Sequence, residues 1–319
     1  MNKKVKIGIL LPTRGLLMQS EQPTDMGQII DMAQNAERAG IDSVWVGDSL
    51  TAKPRLEPLT TLAALATTTS KVRLGTAVLL ASLRHPVQLA HTATTVDFIS
   101  GGRLVLGMGV GGAFNEEQRS EWENLGINPI KRATRFEELL KIFKPLTRGE
   151  TVTFEGEHFN VNNVSLKPVS PQVNGVPVLV AAHGRSNLSR QYERVLLGDG
   201  SISISDSPSE LKKSLDQISH HASNSLINYD DLEKTFYMTV NIGSSTESLI
   251  KESDDFLKRY YGINIWQERW GPWGSAQLVI QQMSKYVDMG ANTIIVRFAS
   301  FDQHKQLELF LDEVFPYWK

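Results

Sequence analysis

The sequence predicts an α/β protein folded as a (β/α)8 (TIM) barrel, in which eight parallel strands alternate with helices. Short apolar runs alternate eight times with longer segments of helical period, and the runs are nearly continuous in apolar residues, as strands buried on both faces are. The predicted strands are residues 6–12, 43–47, 72–77, 104–109, 176–182, 200–204, 236–242 and 293–298. A doubly wound open sheet is the alternative with the same alternation. We expect residues 1–319 to form one domain, with insertions after strands four and seven.

Helix boundaries are marked by residues that start or stop helices. Pro86 stands at the first position of a helix, where proline is tolerated best, and Gly40 follows a periodic segment as a capping glycine does. Apolar residues at helical spacing predict further helices around residues 59–66, 136–143, 188–195, 211–218, 279–287 and 307–314.

Three segments do not fit the minimal repeat. Residues 111–130 are predicted as a long loop after strand four, and residues 151–167 alternate in polarity around Gly156, which favours a β-hairpin. Residues 260–274 are rich in aromatic residues and glycine. Because loops after barrel strands lie on the catalytic face, residues 113–125 and 260–274 are candidates for covering a pocket. The tryptophans of the last segment either pack on barrel helices, which we favour, or cover an aromatic ring: Trp266, Trp270 and Trp273.

Composition excludes several classes of site. The chain has no cysteine, which removes disulfides, thiolate nucleophiles, iron–sulfur clusters and thiolate zinc sites. Its seven histidines are scattered, so we expect no metal site. A net charge of -2 with no run of like charges gives no sign of a nucleic-acid or membrane partner. With no 18-residue apolar stretch and no signal-peptide pattern, we expect a cytoplasmic protein.

The clearest local motif is the glycine-rich run at residues 107–112, GMGVGG, directly after strand four. Glycines let backbone N–H groups approach an anion closely. The run lacks the spacing of a dinucleotide-binding fingerprint. It therefore predicts either contact with a ligand or a tight strand exit without one.

A second motif, His183-Gly184-Arg185-Ser186, ends strand five and is predicted to open a helix. A helix N-terminus with these residues offers a phosphate site. The alternative is a capping serine beside a surface arginine.

Polar side chains near other strand ends have open interpretations. Asp48 follows strand two, where a carboxylate either serves the chemistry, caps a helix or pairs with Arg55. The small residues of Gly75-Thr76-Ala77-Val78, which end strand three, either pack in the core, which we favour, or let a flat ring approach the backbone. His85 is expected to make a structural hydrogen bond, and Arg297 an ion pair at the barrel mouth in preference to a substrate contact.

Together these stretches resemble the luciferase-like monooxygenase superfamily. Residues 39–112 carry the specific part, and weaker similarities follow at 198–200 and 286–291. The matching stretches are AGIDSVWVGDSL at 39–50, EPL at 57–59, LAALA at 62–66, VRLGTAV at 72–78, RHP at 84–86 and SGGRL at 100–104.

The resemblance implies a flavin-type ring across the barrel mouth and a homodimer. It implies a cis peptide bond between Ala77 and Val78 that bulges against the ring, and it places the family's polar residues at Asp48 and Asn115. Asp48 would position the ring or the substrate and is the best catalytic candidate. The phosphate end of the cofactor would be held by Gly111, Gly112, Gly184, Arg185 and Ser186.

Two cofactor branches share this pattern. Our main expectation is a monooxygenase that uses reduced FMN and oxygen on a small organic substrate. The reduced FMN would be supplied by a separate flavin reductase. The alternatives are a reductase or dehydrogenase that depends on the deazaflavin coenzyme F420, and a flavin-binding barrel without catalysis. Ser49 stands where deazaflavin-dependent sugar-phosphate dehydrogenases carry a histidine, which argues against a dehydrogenase of that kind. Without the reactive cysteine of true luciferases, light emission is not expected.

Overall fold

The computed structural model describes residues 5–19, 25–186, 188–264 and 269–319, so Trp266 lies outside the described residues. Its strands are β1 (Lys6–Leu10), β2 (Ser43–Val46), β3 (Arg73–Leu80), β4 (Leu104–Gly109), β5 (Val152–Glu155), β6 (Asn160–Val164), β7 (Val178–Ala181), β8 (Gly200–Ile204), β9 (Glu233–Ile242), β10 (Trp273–Gly274) and β11 (Thr293–Phe298). Among these residues, eight parallel strands form a ring in the order β1, β2, β3, β4, β7, β8, β9, β11. Pairing of β8 with β9 and of β11 with β1 closes it. The predicted barrel is confirmed, and the open sheet is excluded.

Helices surround this ring. They are α1 (Thr13–Gln19), α2 (Gly27–Ala39), α3 (Pro58–Thr68), α4 (Pro86–Ser100), α5 (Glu116–Asn124), α6 (Arg132–Thr147), α7 (Arg190–Val195), α8 (Pro208–Ser223), α9 (Thr246–Tyr261), α10 (Ala276–Asp288) and α11 (Gln303–Leu309). Gly40 caps α2 in the left-handed region at φ 94°, and Pro86 is the first residue of α4, both as predicted. His85 caps α4, with its Nδ1 accepting from the Val87 amide at 3.3 Å. Its role is the structural one that we expected.

The predicted hairpin at residues 151–167 is confirmed by the antiparallel strands β5 and β6. Residues 111–130, however, are not a plain loop, because they contain α5. Helices α1 and α9 were not predicted either. No helix of the described residues is long and apolar enough to cross a membrane.

A hydrophobic cluster in the barrel interior takes one side chain from each strand of the ring. The ring of buried residues is Leu10, Trp45, Ala77, Val105, Leu179, Ile202, Tyr237 and Ile295. Trp45 is the largest, and glycines on both neighbouring strands make room for it. A Cβ on Gly8 would lie 2.4 Å from Trp45 Nε1, and one on Gly75 would lie 2.2 Å from Trp45 Cε3. Gly75 therefore serves core packing, the first of its two interpretations.

Candidate active site

Two connected cavities open at the carboxyl ends of the barrel strands. The inner one, of about 180 Å³, lies at the barrel mouth, and the outer one, of about 530 Å³, lies between the loop after β2 and the segment that leads into α5. They share five lining residues: Asp48, Arg55, Leu80, Ile204 and Tyr261. The cleft therefore sits where the sequence placed a pocket, and residues 112–121 form one of its walls.

The inner cavity has a wall of small and apolar side chains. Ala77 and Val78 come from β3, Ala181 ends β7, and Ile202 lies on β8. The Ala77–Val78 peptide bond is cis, as the resemblance implies. A flat ring would meet little polar side-chain surface along this wall.

Asp48 lines both cavities, but its carboxylate is already engaged. It accepts from the Leu80 amide at 2.8 Å and from both terminal nitrogens of Arg84, at 2.5 and 3.2 Å. Its side chain is 3% exposed. The ion pair of Asp48 with Arg55, which we gave as an alternative, was wrong, because Asp48 pairs with Arg84 instead. Asp48 therefore fixes the exit of β3, and a direct chemical role for it stays a prediction.

Glu121 on α5 is a buried carboxylate that sequence reasoning missed. Its Oε1 accepts from Ser49 Oγ at 2.9 Å and from the Thr51 and Ala52 amides at 2.7 and 3.0 Å. Because α5 carries this carboxylate, the loop after β2 is fastened to the segment after β4. The hydroxyl of Ser49 is thereby engaged as a donor to Glu121.

The glycine-rich segment is shaped by a tryptophan. Gly111 adopts φ +79°, and a Cβ there would lie 2.8 Å from Trp122 Cζ2. Trp122 Nε1 donates to the Gly112 carbonyl at 2.8 Å, and Asn115 Oδ1 caps α5 by accepting from the Gln118 amide at 2.9 Å. Gly112 and Asn115 line the outer cavity, whereas Gly111 is absent from its lining.

The motif at residues 183–186 departs from the prediction. The helix begins at Arg190 rather than at Ser186. The Gly184 amide donates to Asp206 Oδ2 at 2.8 Å, and Arg185 Nη1 donates to the Ile204 carbonyl at 3.3 Å. A phosphate cradle at a helix N-terminus is therefore not formed here, because the amide is used and the helix starts later. Contact of these residues with a cofactor stays a prediction.

His183, which lines the inner cavity, lies beside the buried carboxylate of Asp206, whose Oδ1 is also 3.6 Å from Arg185 Nη1. His183 Nδ1 and Asp206 Oδ1 lie 3.9 Å apart, and neither has a hydrogen-bond partner among the described residues. Burial, with a smaller contribution from Arg185, lowers the pKa of His183 to about 4. Burial also raises the pKa of Asp206. At neutral pH the imidazole is therefore uncharged. Asp206 carried no sequence signal beyond its position after a strand.

A cluster of tyrosines and arginines forms the remaining wall. Tyr237, Tyr260 and Tyr261 line the inner cavity. Arg297, which is 2% exposed, lies behind them and donates from Nη1 to Tyr261 Oη at 2.6 Å. Among the described residues Arg297 pairs with no carboxylate, so the ion pair that we expected is not seen in that part of the chain. Trp270 packs in the same cluster, with its ring 4.6 Å from the guanidinium, in line with the packing role that we favoured.

No three His, Asp or Glu side chains of the described ranges group as metal ligands. Comparison with known families gives the decisive observation. The model of the luciferase-like monooxygenase family matches residues 5–271.

The chain belongs to this family.

The similarity between this luciferase-like protein and its known relatives extends over nearly the whole chain. An F420-dependent glucose-6-phosphate dehydrogenase of Mycobacterium avium is 26% identical over 91% of this chain and 93% of that protein. Among solved structures, an F420-dependent secondary alcohol dehydrogenase superposes with a TM-score of 0.80 at 18% identity, covering 99% of both chains. A monooxygenase of Streptomyces bottropensis gives 0.79 at 20% identity, covering 98% of this chain and 100% of the other. The luciferase-like chain is accordingly an oxidoreductase with the barrel fold of these proteins.

Proposed function

We propose that the protein is a deazaflavin-dependent reductase or dehydrogenase that acts on a small organic alcohol or carbonyl compound. The observation that carries this proposal is the similarity to an F420-dependent dehydrogenase over 91% of the chain, joined to a cavity at the barrel mouth with a wall of small and apolar side chains. It favours the alternative over the reduced-FMN monooxygenase that we expected first. The solved monooxygenase is similar in fold alone, at 20% identity.

The residues of the cleft fit a tricyclic ring with a long polar tail. The outer cavity alone falls within the roughly 300–1,000 Å³ typical of small-molecule sites. Ala77, Val78, Ala181 and Ile202 would lie against the ring. The tail would run along Gly112 and Asn115 into the outer cavity. When bound, a deazaflavin accepts or donates a hydride and does not activate oxygen.

The protein's own contribution is orientation and charge. The Asp48–Arg84 pair holds the exit of β3 in place, and thereby the wall against which a ring would lie. The tyrosines and Arg55 place hydroxyl and guanidinium donors at the cavity, where a substrate oxygen would need them. A mostly apolar cavity also limits water near the reacting atoms.

Anaerobic fluorescence titrations with F420, FMN and reduced FMN test the proposal. We expect F420 to bind most tightly and to turn over with an alcohol in the absence of oxygen. Oxygen consumption with reduced FMN would support the monooxygenase, for which a separate reductase is needed. Tight binding without turnover would support a non-catalytic flavin-binding barrel. The proposal fails if F420 does not bind.

Two matched variants locate the site. Ala181→Leu adds three carbons to the wall of the inner cavity, and we expect it to weaken F420 binding at least tenfold. Ala39→Leu makes the same change at the end of α2, away from the cleft, and is expected to bind as the wild type does. Equal affinities for the two variants would remove the barrel mouth as the site.

A further inference from the structure

Three arginines surround the side chain of Tyr260. The guanidinium carbons of Arg14, Arg55 and Arg297 lie 5.4, 5.5 and 5.0 Å from the centre of its ring. Arg14 also donates from Nε to the Tyr260 carbonyl at 2.9 Å. These residues come from α1, the loop after β2, the end of α9 and β11. Only the folded barrel brings them together.

These arginines pair mainly with aromatic rings, backbone carbonyls and phenol hydroxyls, and the exposed Glu117 acts on Arg14 only through its charge. None of the three arginines forms an ion pair with a carboxylate of the described residues. Arg297 Nη2 is buried with no acceptor in the part of the chain that the structure describes. Cations removed from water are stabilised by a nearby anion, and the attraction is stronger in a low-dielectric interior. Since the aromatic residues against them include tyrosines, a phenolate is an anion that the cluster itself can supply.

The hydroxyl of Tyr260 is held next to the strands that form the ring wall. Tyr260 Oη accepts from Arg55 Nη1 at 3.1 Å. That nitrogen lies over the end of β2: a Cβ on Gly47 would be 2.2 Å from it and 4.0 Å from the Ala77 carbonyl oxygen. Both Tyr260 and Arg55 line the inner cavity. The hydroxyl is therefore held by Arg55 at the inner cavity, which Ala77 also lines.

Electrostatics distinguishes Tyr260 from its two neighbours. Burial raises its pKa, but the charges of Arg55, Arg297 and Arg14 outweigh burial and lower the pKa below the ordinary value. Burial raises the pKa of Tyr237 and of Tyr261, despite the attraction of Arg297.

The other titratable groups at the cavity are less suited to exchanging a substrate proton near neutral pH. Asp48 is engaged by Arg84 and the Leu80 amide. His183 has a pKa of about 4 and is therefore a weak base. Of these groups, Tyr260 is the one whose surroundings favour its ionised form, the phenolate.

We propose that Tyr260 is the catalytic acid–base residue, which as a phenolate takes the hydroxyl proton of the substrate during oxidation and returns it during reduction. This proposal rests on the proposed deazaflavin-dependent function. In oxidation, the C–H bond of the substrate breaks and its electron pair leaves as hydride to the oxidised deazaflavin, which is reduced. The O–H bond breaks, the C=O bond forms, and the proton passes to Tyr260 Oη. Reduction of the carbonyl reverses each transfer.

The first test uses the protein without cofactor, so that it does not depend on the proposed function. Tyrosinate absorbance is followed as the pH rises from neutrality. We expect the wild type to ionise one tyrosine below the ordinary pKa of about 10, Tyr260→Phe to lose that step, and Arg55→Gln to shift it upward. Tyr317→Phe, a matched change at an exposed tyrosine, should keep it. A low step that survives in Tyr260→Phe, or no low step at all, overturns the proposal.

The second test measures turnover. Tyr260→Phe keeps the ring and its packing, so F420 should bind within twofold of the wild type while kcat falls about 100-fold or more. The kcat of alcohol oxidation by the wild type should rise with pH through the same step that absorbance reports. A Tyr260→Phe enzyme with kcat within threefold of wild type overturns the catalytic role. If the wild type binds no F420, the proposed function fails and the catalytic role with it, whereas the absorbance step still decides whether Tyr260 ionises.

Discussion

Replacing Asp48 by asparagine should lower the free energy of unfolding by about 3 kcal/mol. The carboxylate is 3% exposed and accepts three hydrogen bonds, two of them from Arg84. Removing one partner of a buried ion pair costs about 3–5 kcal/mol, because the other charge is left uncompensated. Arg84 is 23% exposed and has Glu57 as a second acceptor at 3.4 Å. These features place the expected loss at the lower end of that range.

Equilibrium urea unfolding, followed by circular dichroism at pH 7, measures this loss. Arg84→Gln should cost a similar amount, and the double variant should be less destabilised than the sum of the single ones, with a coupling of about 2 kcal/mol. Asp216→Asn removes an exposed pair with Lys212 and should change stability by less than about 0.5 kcal/mol. Strict additivity of Asp48→Asn and Arg84→Gln would refute the ion-pair argument. F420 affinity should fall in Asp48→Asn and recover partly in the double variant, which a catalytic base would not do.

Two further predictions concern the core and the pH response. Gly75→Ala should destabilise the barrel by about 3 kcal/mol, because its Cβ would lie 2.2 Å from Trp45. Trp45→Leu should relieve part of this loss in the double variant. An unchanged urea midpoint in Gly75→Ala would contradict the packing argument. The His183 ring should titrate near pH 4 by NMR. The unfolded chain takes up that proton first, at a pH of about 6.5. The free energy of unfolding of the wild type should therefore fall by about 3 kcal/mol relative to His183→Asn as the pH falls from 6.5 to 4. Equal losses in the two proteins would exclude His183 as the cause.

Strand positions were predictable because parallel strands buried on both faces require continuous apolar runs. Helix α5 escaped the same reasoning, since it is mostly polar and contributes Trp122 as its large buried side chain. Helix α9 has a buried stripe at helical spacing, Leu249, Phe256, Leu257 and Tyr260. That spacing is visible in the sequence, so this helix was predictable from periodicity.

The position of a cleft at the carboxyl ends of the strands was predictable, but the partners of its side chains were not. Asp48 could be named from its position, whereas its pairing with Arg84 rather than Arg55 depends on how the loop after β3 folds back. The contact of Arg14 with Tyr260 joins residues 246 positions apart. Periodicity and local motifs carry no information about such a contact.

Glu121 has a consequence for how a ligand enters. One oxygen of its carboxylate, Oε1, accepts three hydrogen bonds from the loop after β2. That loop and α5 are thereby a pre-organised wall of the cleft. Ordering a flexible loop on binding costs free energy that would be subtracted from affinity, and a wall that is ordered beforehand avoids this loss. Amide hydrogen exchange at Thr51 and Ala52 should therefore be slow without ligand and change little when one binds.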